Sequence, residues 1–411
     1  MASRAALKLG VHVESTIRAG RHPPMDPLLS PSEFVGLNNI THLCTGGEAP
    51  WLAGQSRIFE EFAELTSGGQ TARAQLYERV ESCRRRMAEL WGVPAQRIVF
   101  MPHAAEGMNW LARGLRWRAG DNIVTTGIEF PSVGYAWQQP GVGVEVRRVP
   151  AQQWVVGESA LLSACDQCTR VLAVSQVSFL TGECLDVERL AAGLKGTDTL
   201  LAVDATHASG VLRVPAQCAD LCVSSAYKWM LATHGVAPCY VSERAEALVA
   251  DSCFGWRNLE PPVSAVAAPE RLPLRPMPLK LEPGNPAVLS ILFLGYALDV
   301  ILGIGMRSIE NHARTLSLAV NEGLQRLGLA VISPDGEAQR SGNTCFLATD
   351  PVALRNHLAT ERILVWGDHS RVRVSTHLYN STGDVGRLLD VLAVHRQLGL
   401  IPRTDFIEGH D

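Results

Sequence analysis

Lysine is scarce in this chain. After residue 10 there are only Lys195, Lys228 and Lys280, so a lysine set among aromatic and small residues is not one of many interchangeable surface cations. Basic charge is not clustered either: 37 basic residues face 41 acidic ones, and Arg84-Arg85-Arg86 is the longest basic tract. That excludes a phosphate-tracking surface, and nucleic acid is not an expected partner. The opening Met-Ala-Ser-Arg-Ala-Ala-Leu-Lys lacks the continuous apolar core of a signal peptide. Paired metal-binding cysteines are missing as well. Of the ten cysteines only Cys165 and Cys168 have a CxxC spacing, so no metal site is expected. Scattered free thiols fit a reducing, cytoplasmic location.

What is present is an ordinary globular composition, 46% hydrophobic and 19% charged over 411 residues, enough for two domains. The most lipophilic stretch, 287–306, is long enough to span a bilayer, but Asp299 interrupts it and Gly295, Gly303 and Gly305 suit close helix packing. It reads as a buried or interface helix, and no membrane is expected as a partner.

From about residue 97 short apolar runs alternate with helix-like segments. Strands are expected at 97–100, 122–126, 144–149, 170–175, 199–204, 221–225 and 237–242. Helices are expected at 104–117, from Pro131, and at 186–195. This rhythm predicts an α/β fold whose sheet, mainly parallel though mixed, is covered on both faces by helices. A proline-rich interval, 260–286, breaks it with Pro261, Pro262, Pro273, Pro276, Pro278 and Pro283, and reads as a crossing between domains. Long helices over 287–327 follow, then strands near 344–349, 362–365 and 371–375, and a last helix from about residue 384.

Ligands of open α/β sheets bind beyond the carboxyl ends of the strands, so the residues there are the candidates. His103-Ala104-Ala105-Glu106 opens a helix whose free amides could hold a phosphate, although an ordinary helix start looks the same. Phe130 follows the next strand and could lie flat on an aromatic ring. The polar loop 176–182, with Ser178, could reach a ligand's rim. Asp204 ends an apolar run, His207 follows it, and Lys228 comes just past another apolar run in Ser225-Ala226-Tyr227-Lys228. A strand-end aspartate with a desolvated lysine suits pyridoxal phosphate chemistry. The amine forms the Schiff base, and the carboxylate keeps the pyridine nitrogen protonated.

Together these patterns resemble the class V aminotransferase family of fold-type I pyridoxal phosphate enzymes over about residues 35–395. His103-Ala-Ala-Glu-Gly-Met-Asn109 looks like the family's phosphate loop, and Val203-Asp-Ala-Thr-His207 like its Asp-Ala-x-His/Gln block. Ser225-Ala-Tyr-Lys228 is similar to the lysine block, Leu281-Glu-Pro-Gly-Asn-Pro286 to a turn given by the neighbouring subunit, and Arg373-Val-Ser-Thr-His-Leu-Tyr-Asn380 to the carboxylate-binding block. The resemblance implies that mixed sheet in a large cofactor-binding domain at 46–275, a small C-terminal α/β domain at 276–411, and a segment 1–45 packing with the small domain. It implies a homodimer.

By position, Lys228 would hold the cofactor and move protons, Asp204 would pair with the ring nitrogen, and His207 would bond the ring hydroxyl. Phe130 would stack on the ring. Ala104, Ala105, Glu106, Ser225 and Tyr227 would surround the phosphate, Ser178 would lie at the rim, and Asn285 would reach in from the partner chain. Arg373 would grip a substrate carboxylate with its planar fork.

Three positions depart from the pattern: Ala105 and Asn285 stand where threonine is usual, and Phe130 where the desulfurase branch has histidine. That branch also needs a mobile cysteine shortly before the substrate arginine, and the short segment Val365-Trp-Gly-Asp-His-Ser-Arg371 has none. The resemblance is therefore to the isopenicillin N epimerase-like and cystine lyase-like branch. It implies a C–S lyase acting by β-elimination on a cysteine-derived substrate, with transamination and epimerisation as alternatives and a non-enzymatic fold as a distant one.

Overall fold

The computed structural model describes residues 23–139, 141–260 and 273–397. The chain's opening residues and Pro261-Pro262 of the crossing lie outside the described residues.

Strand β1 (Thr41–His42) is followed by the helices Ser56–Ser67 and Gly69–Trp91, then by β2 (Ile98–Met101), β3 (Asn122–Thr126) and β4 (Glu145–Val149). Next come β5 (Thr169–Ser175), β6 (Leu200–Asp204), β7 (Leu221–Val223) and β8 (Ala237–Val241). These last seven strands form one sheet in the order β2-β8-β7-β6-β5-β3-β4. Strand β8 runs antiparallel to both neighbours, and the pairs from β7 to β4 are parallel. The expected run of strands is present, and the sheet is mainly parallel but mixed, as the resemblance implies, with the strand at 237–242 the one that reverses.

The strands read as unbroken apolar runs because both sheet faces are covered. Along β5, Leu172 and Val174 join one core with Val80, Met87 and Trp91 of the helix Gly69–Trp91 and Leu294 and Leu298 of the helix Val288–Ile304. Val171 and Ala173 point the other way, to Met108 and Leu111 of the helix Ala104–Gly114. Period-two alternation thus feeds two cores from one strand.

No single helix among the described residues is long and apolar enough to cross a membrane. The helices Val288–Ile304 and Met306–Arg326 pass together on length and composition only, and an 82° bend separates them. Ile291, Leu294, Leu298 and Ile301 are fully buried against the first core, where each large apolar side chain contributes about 1.5–3 kcal/mol.

The C-terminal part holds β9 (Asn343–Leu347), β10 (Ile363–Leu364), β11 (Trp366–Asp368) and β12 (Arg371–Ser375), closed by the helix Thr382–Gln397. Strands β11, β12 and β9 form an antiparallel sheet. Strand β10 instead pairs in parallel with β1, so residues 41–42 are built into this region, and Leu43 enters its core beside Phe346 and Val374. The start at Pro131 gives one turn only, Pro131–Gly134.

Candidate active site

Four strand ends and one helix start converge on a pocket of about 280 Å³ lined by Phe130, Phe179, Asp204, His207, Tyr227 and Lys228, among others. Asp204 is the last residue of β6, and the helix Ala104–Gly114 starts beyond β2. Lys228 lies in the turn after β7, and that turn packs closely. Gly210, at φ +96°, lies against it, and any Cβ there would collide with the Trp229 carbonyl.

Lys228 is buried, and its Nζ lies 3.1 Å from His207 Nε2 and 5.5 Å from the centroids of both Phe130 and Tyr227. The tautomer of His207 follows from its other neighbour. Asn343 Oδ1 accepts the Ser375 hydroxyl at 2.8 Å, which turns its Nδ2 to donate to His207 Nδ1 at 3.1 Å. The imidazole proton is then on Nε2, facing an amine that can accept it only when neutral. Burial and the nearby Arg373 charge lower the Lys228 pKa to about 8, against the pull of Asp204 and Glu48.

This sets a pH dependence for attachment of pyridoxal phosphate to the cofactor-free chain. The neutral fraction of an amine titrating near 8 rises about tenfold between pH 7 and pH 9 and then levels; an ordinary lysine rises about a hundredfold and keeps climbing. Borohydride trapping of the label on Lys228 measures it, and a rate still climbing steeply above pH 9.5 would contradict the lowered value.

Asp204 is buried, and burial raises its pKa, offset by bonds from Thr206 and by the charge of Lys228. Its Oδ1 accepts the Thr206 amide at 2.7 Å. Ser225 Oγ accepts the Ala104 amide at 3.3 Å, while the N-cap residue His103 gives its helix no side-chain cap. The Glu106 amide turns back to the His103 carbonyl at 3.0 Å, which leaves the Ala105 amide of the first turn, with the Ser225 hydroxyl beside it, facing an anion site. Tyr227 stacks on His234 with centroids 4.0 Å apart.

Arg373 and Arg371 lie two residues apart on one face of β12, both buried, and both donate to the Phe179 carbonyl, at 2.9 and 3.1 Å. The Arg373 Nε is buried without a hydrogen-bond partner. Burial, then Arg371, lowers the Arg373 pKa to about 10. Trp366 of β11 lies over this guanidinium, 5.8 Å from Cζ, and packs on Gly47, where a side chain would collide with the indole.

A model of the family described as aminotransferase class-V matches residues 53–388. The chain belongs to the class-V aminotransferase family. Among curated relatives, a cysteine desulfurase of Cronobacter sakazakii is 26% identical over 362 residues, covering 82% of this chain and 88% of the relative. The apo cysteine desulfurase of Thermococcus onnurineus NA1 superposes with a TM-score of 0.82 at 22% identity, covering 91% of this chain and 100% of that one. A cystine C–S lyase in complex with its product cysteine persulfide superposes at 0.79 and 20% identity, covering 88% and 99%. At these identities the two structures establish a shared fold.

Class-V membership makes the chain a pyridoxal-phosphate-dependent enzyme of fold type I. The pocket fits that cofactor: an uncapped helix start suits a phosphate, an enclosed carboxylate suits a ring nitrogen, and a desolvated amine suits an aldehyde.

Not every expected residue lies in the pocket. Ala104, Ala105, Phe130, Asp204, His207, Ser225, Tyr227 and Lys228 line it; Glu106, Ser178 and Arg373 do not, the last reaching only the carbonyl of the lining residue Phe179. Glu106, farther around the helix, faces a neighbouring cavity of about 420 Å³. Ser178 Oγ turns back to accept the amides of Leu180 and Thr181, each at 3.3 Å, and its neighbours Val177 and Phe179 line the pocket instead. Asn285 is exposed and, within one chain, accepts from Arg73 at 3.1 Å and Tyr77 at 2.9 Å, away from this pocket. Phe179, Thr206, Ser175, Ser132 and Asn343 were missed; the last lies so far along the chain that only the fold brings it to His207.

Proposed function

We propose that this class-V enzyme is a C–S lyase that removes a thiol from a cysteine-derived amino acid by β-elimination. The observation that carries this reading is the β11–β12 turn. Only His369 and Ser370 separate Asp368 from Arg371, at φ 45° and 62°, the two left-handed residues of a tight hairpin. A turn of two residues has no room for a mobile sulfur-carrying cysteine beside Arg373.

Pyridoxal phosphate, when bound, supplies an electron sink for charge released at Cα. The chain does the rest. The amides of Ala104 and Ala105 with Ser225 would hold the phosphate, Phe130 would cover the ring face, and Asp204 would keep the ring nitrogen protonated. Arg373 would hold the substrate carboxylate and so fix the Cα–H bond towards Lys228, whose neutral amine takes that proton. The Cβ–S bond then breaks, the sulfur leaves with the electron pair and gains a proton, and with water the products are thiol, pyruvate and ammonia. Transamination and epimerisation share the proton transfer at Lys228 and differ in where the proton returns. On this reading Asn285 reaches the pocket of a second copy in a homodimer.

The desulfurases among the relatives favour a second reading, for which Cys44 is the thiol to consider. It bridges to Ser375 and lies within electrostatic reach of Arg373, although burial raises its pKa. Incubating the enzyme with a panel of cysteine S-conjugates and, separately, with free cysteine decides between them. Elimination yields pyruvate and free thiol in equal amounts without an added amino acceptor, and Cys44→Ser retains this activity. Alanine formed from free cysteine, with sulfur transfer lost in Cys44→Ser, would establish the desulfurase. A keto acid formed only when an amino acceptor is supplied would establish the aminotransferase.

A further inference from the structure

Glu129 has no role in the chemistry above, yet it sits immediately before Phe130 with its carboxylate enclosed. Oε1 accepts the Phe130 amide at 2.7 Å and the Ser175 hydroxyl at 2.5 Å. Oε2 accepts the Ser175 amide at 2.8 Å and, more loosely, Thr126 Oγ1 at 3.5 Å. All four partners are neutral. Burial accordingly lifts its pKa to about 7, with the bonds from Ser175 and Phe130 opposing the shift.

The geometry is that of a clamp between two strand ends. Ser175 closes β5, pairs in register with Asp204, and is followed by Gln176, whose amide donates to the Asp204 carbonyl at 2.9 Å. One carboxylate therefore ties down Phe130 on the face of the pocket and the strand end beside Asp204 at its edge. Only a carboxylate can do this. Both oxygens must accept from backbone N–H groups, and an amide would set its own NH2 against one of them.

We propose that Glu129 is a positioning residue for the cofactor ring, holding Phe130 and the Ser175–Asp204 edge in mutual register; this rests on the reading that pyridoxal phosphate occupies this pocket. Glu183 provides the contrast. It lines a small cavity together with Glu129 and Ser175, but its carboxylate accepts the amides of Val156 and Gly157, which belong to no part of the cofactor pocket.

The test compares wild-type holoenzyme with Glu129→Gln, Ser175→Ala and Glu183→Gln, reading the induced circular dichroism of bound pyridoxal phosphate, its dissociation constant and the melting temperature. Glu129→Gln is expected to lower the induced signal at least about twofold and to raise the dissociation constant about tenfold, the order of one charge-assisted hydrogen bond. Ser175→Ala, which removes one donor and keeps the rest of the clamp, is expected to move both readouts in the same direction by less, and it decides the matter if Glu129→Gln does not fold. Glu183→Gln is expected to lower the melting temperature while leaving both cofactor readouts within about twofold of wild type. Unchanged cofactor readouts in Glu129→Gln and Ser175→Ala would overturn the proposal, as would an equal loss in Glu183→Gln. A wild-type protein that takes up no pyridoxal phosphate overturns the cofactor reading as well, and that failure shows before any variant is made.

Discussion

Lys228→Ala is expected to lower turnover by at least about 10³-fold, within the range removed with a positioned acid–base group. On the proposed reading, two functions fall on the one amine. It must be neutral to attack the cofactor's aldehyde, and it must return as the base that takes the Cα proton. Burial and Arg373 supply the first condition by lowering its pKa to about 8, and the His207 Nε2 proton, pointed at Nζ, supports the neutral form. No neighbour can replace it. His207 is itself buried, with burial and then Lys228 depressing its pKa well below the usual value. Lys195 and Lys280 are the other lysines of the described residues, and neither lines the pocket. The variant should still bind pyridoxal phosphate through the remaining cradle, but without the borohydride-stable label. Pyruvate release and mass spectrometry of the reduced protein measure both parts, and turnover within tenfold of wild type would sink the assignment.

How far the site was legible depended on where each residue's partner lies in the chain. Asp204, His207, Ser225 and Lys228 could be read because strand ends are marked by apolar runs that stop, and sheet topology sends those ends to one rim. Phe130 could be read for the same reason. Ser178 and Phe179 show the limit. Loop residues alternate in direction through local bonds, and the Ser178 hydroxyl closing on the Leu180 and Thr181 amides turns Phe179 to the pocket. Glu129 carried no signal, because a carboxylate satisfied wholly by neutral donors looks in sequence like any loop glutamate. A mixed sheet was expected from the resemblance, but which strand reverses was not legible, since apolar alternation is the same in either direction. The early helix pair Ser56–Ser67 and Gly69–Trp91 was passed over. The second has buried Val80, Cys83, Met87 and Trp91 on a stripe flanked by Arg85 and Glu89, which helical spacing could have exposed.

Glu282→Ala is expected to destabilise the protein by about 3–5 kcal/mol, the usual loss when one partner leaves a buried ion cluster. The carboxylate is 2% exposed and lies between Arg84 at 2.9 Å and Arg257 at 2.7 Å, with the Phe100 amide at 3.1 Å. Removing it leaves two guanidinium groups enclosed, Arg84 with only Glu81 and the Ile98 carbonyl as remaining partners. The desolvation of those cations, rather than the value of the pairs, is what the variant exposes. A triple variant with Glu282, Arg84 and Arg257 all changed to methionine should therefore recover most of the loss seen in Glu282→Met alone. The cluster also has a functional reach. Glu282 opens the turn that carries Asn285, and through Phe100 it fixes the end of β2, from which the chain enters the phosphate cradle at His103 and Ala104. Under conditions where Glu282→Ala remains folded, it should hold pyridoxal phosphate less tightly than wild type. Urea midpoints and equilibrium dialysis separate the two effects, and a variant within 1 kcal/mol of wild type would show that Arg84 and Arg257 reach water or other partners when Glu282 is gone.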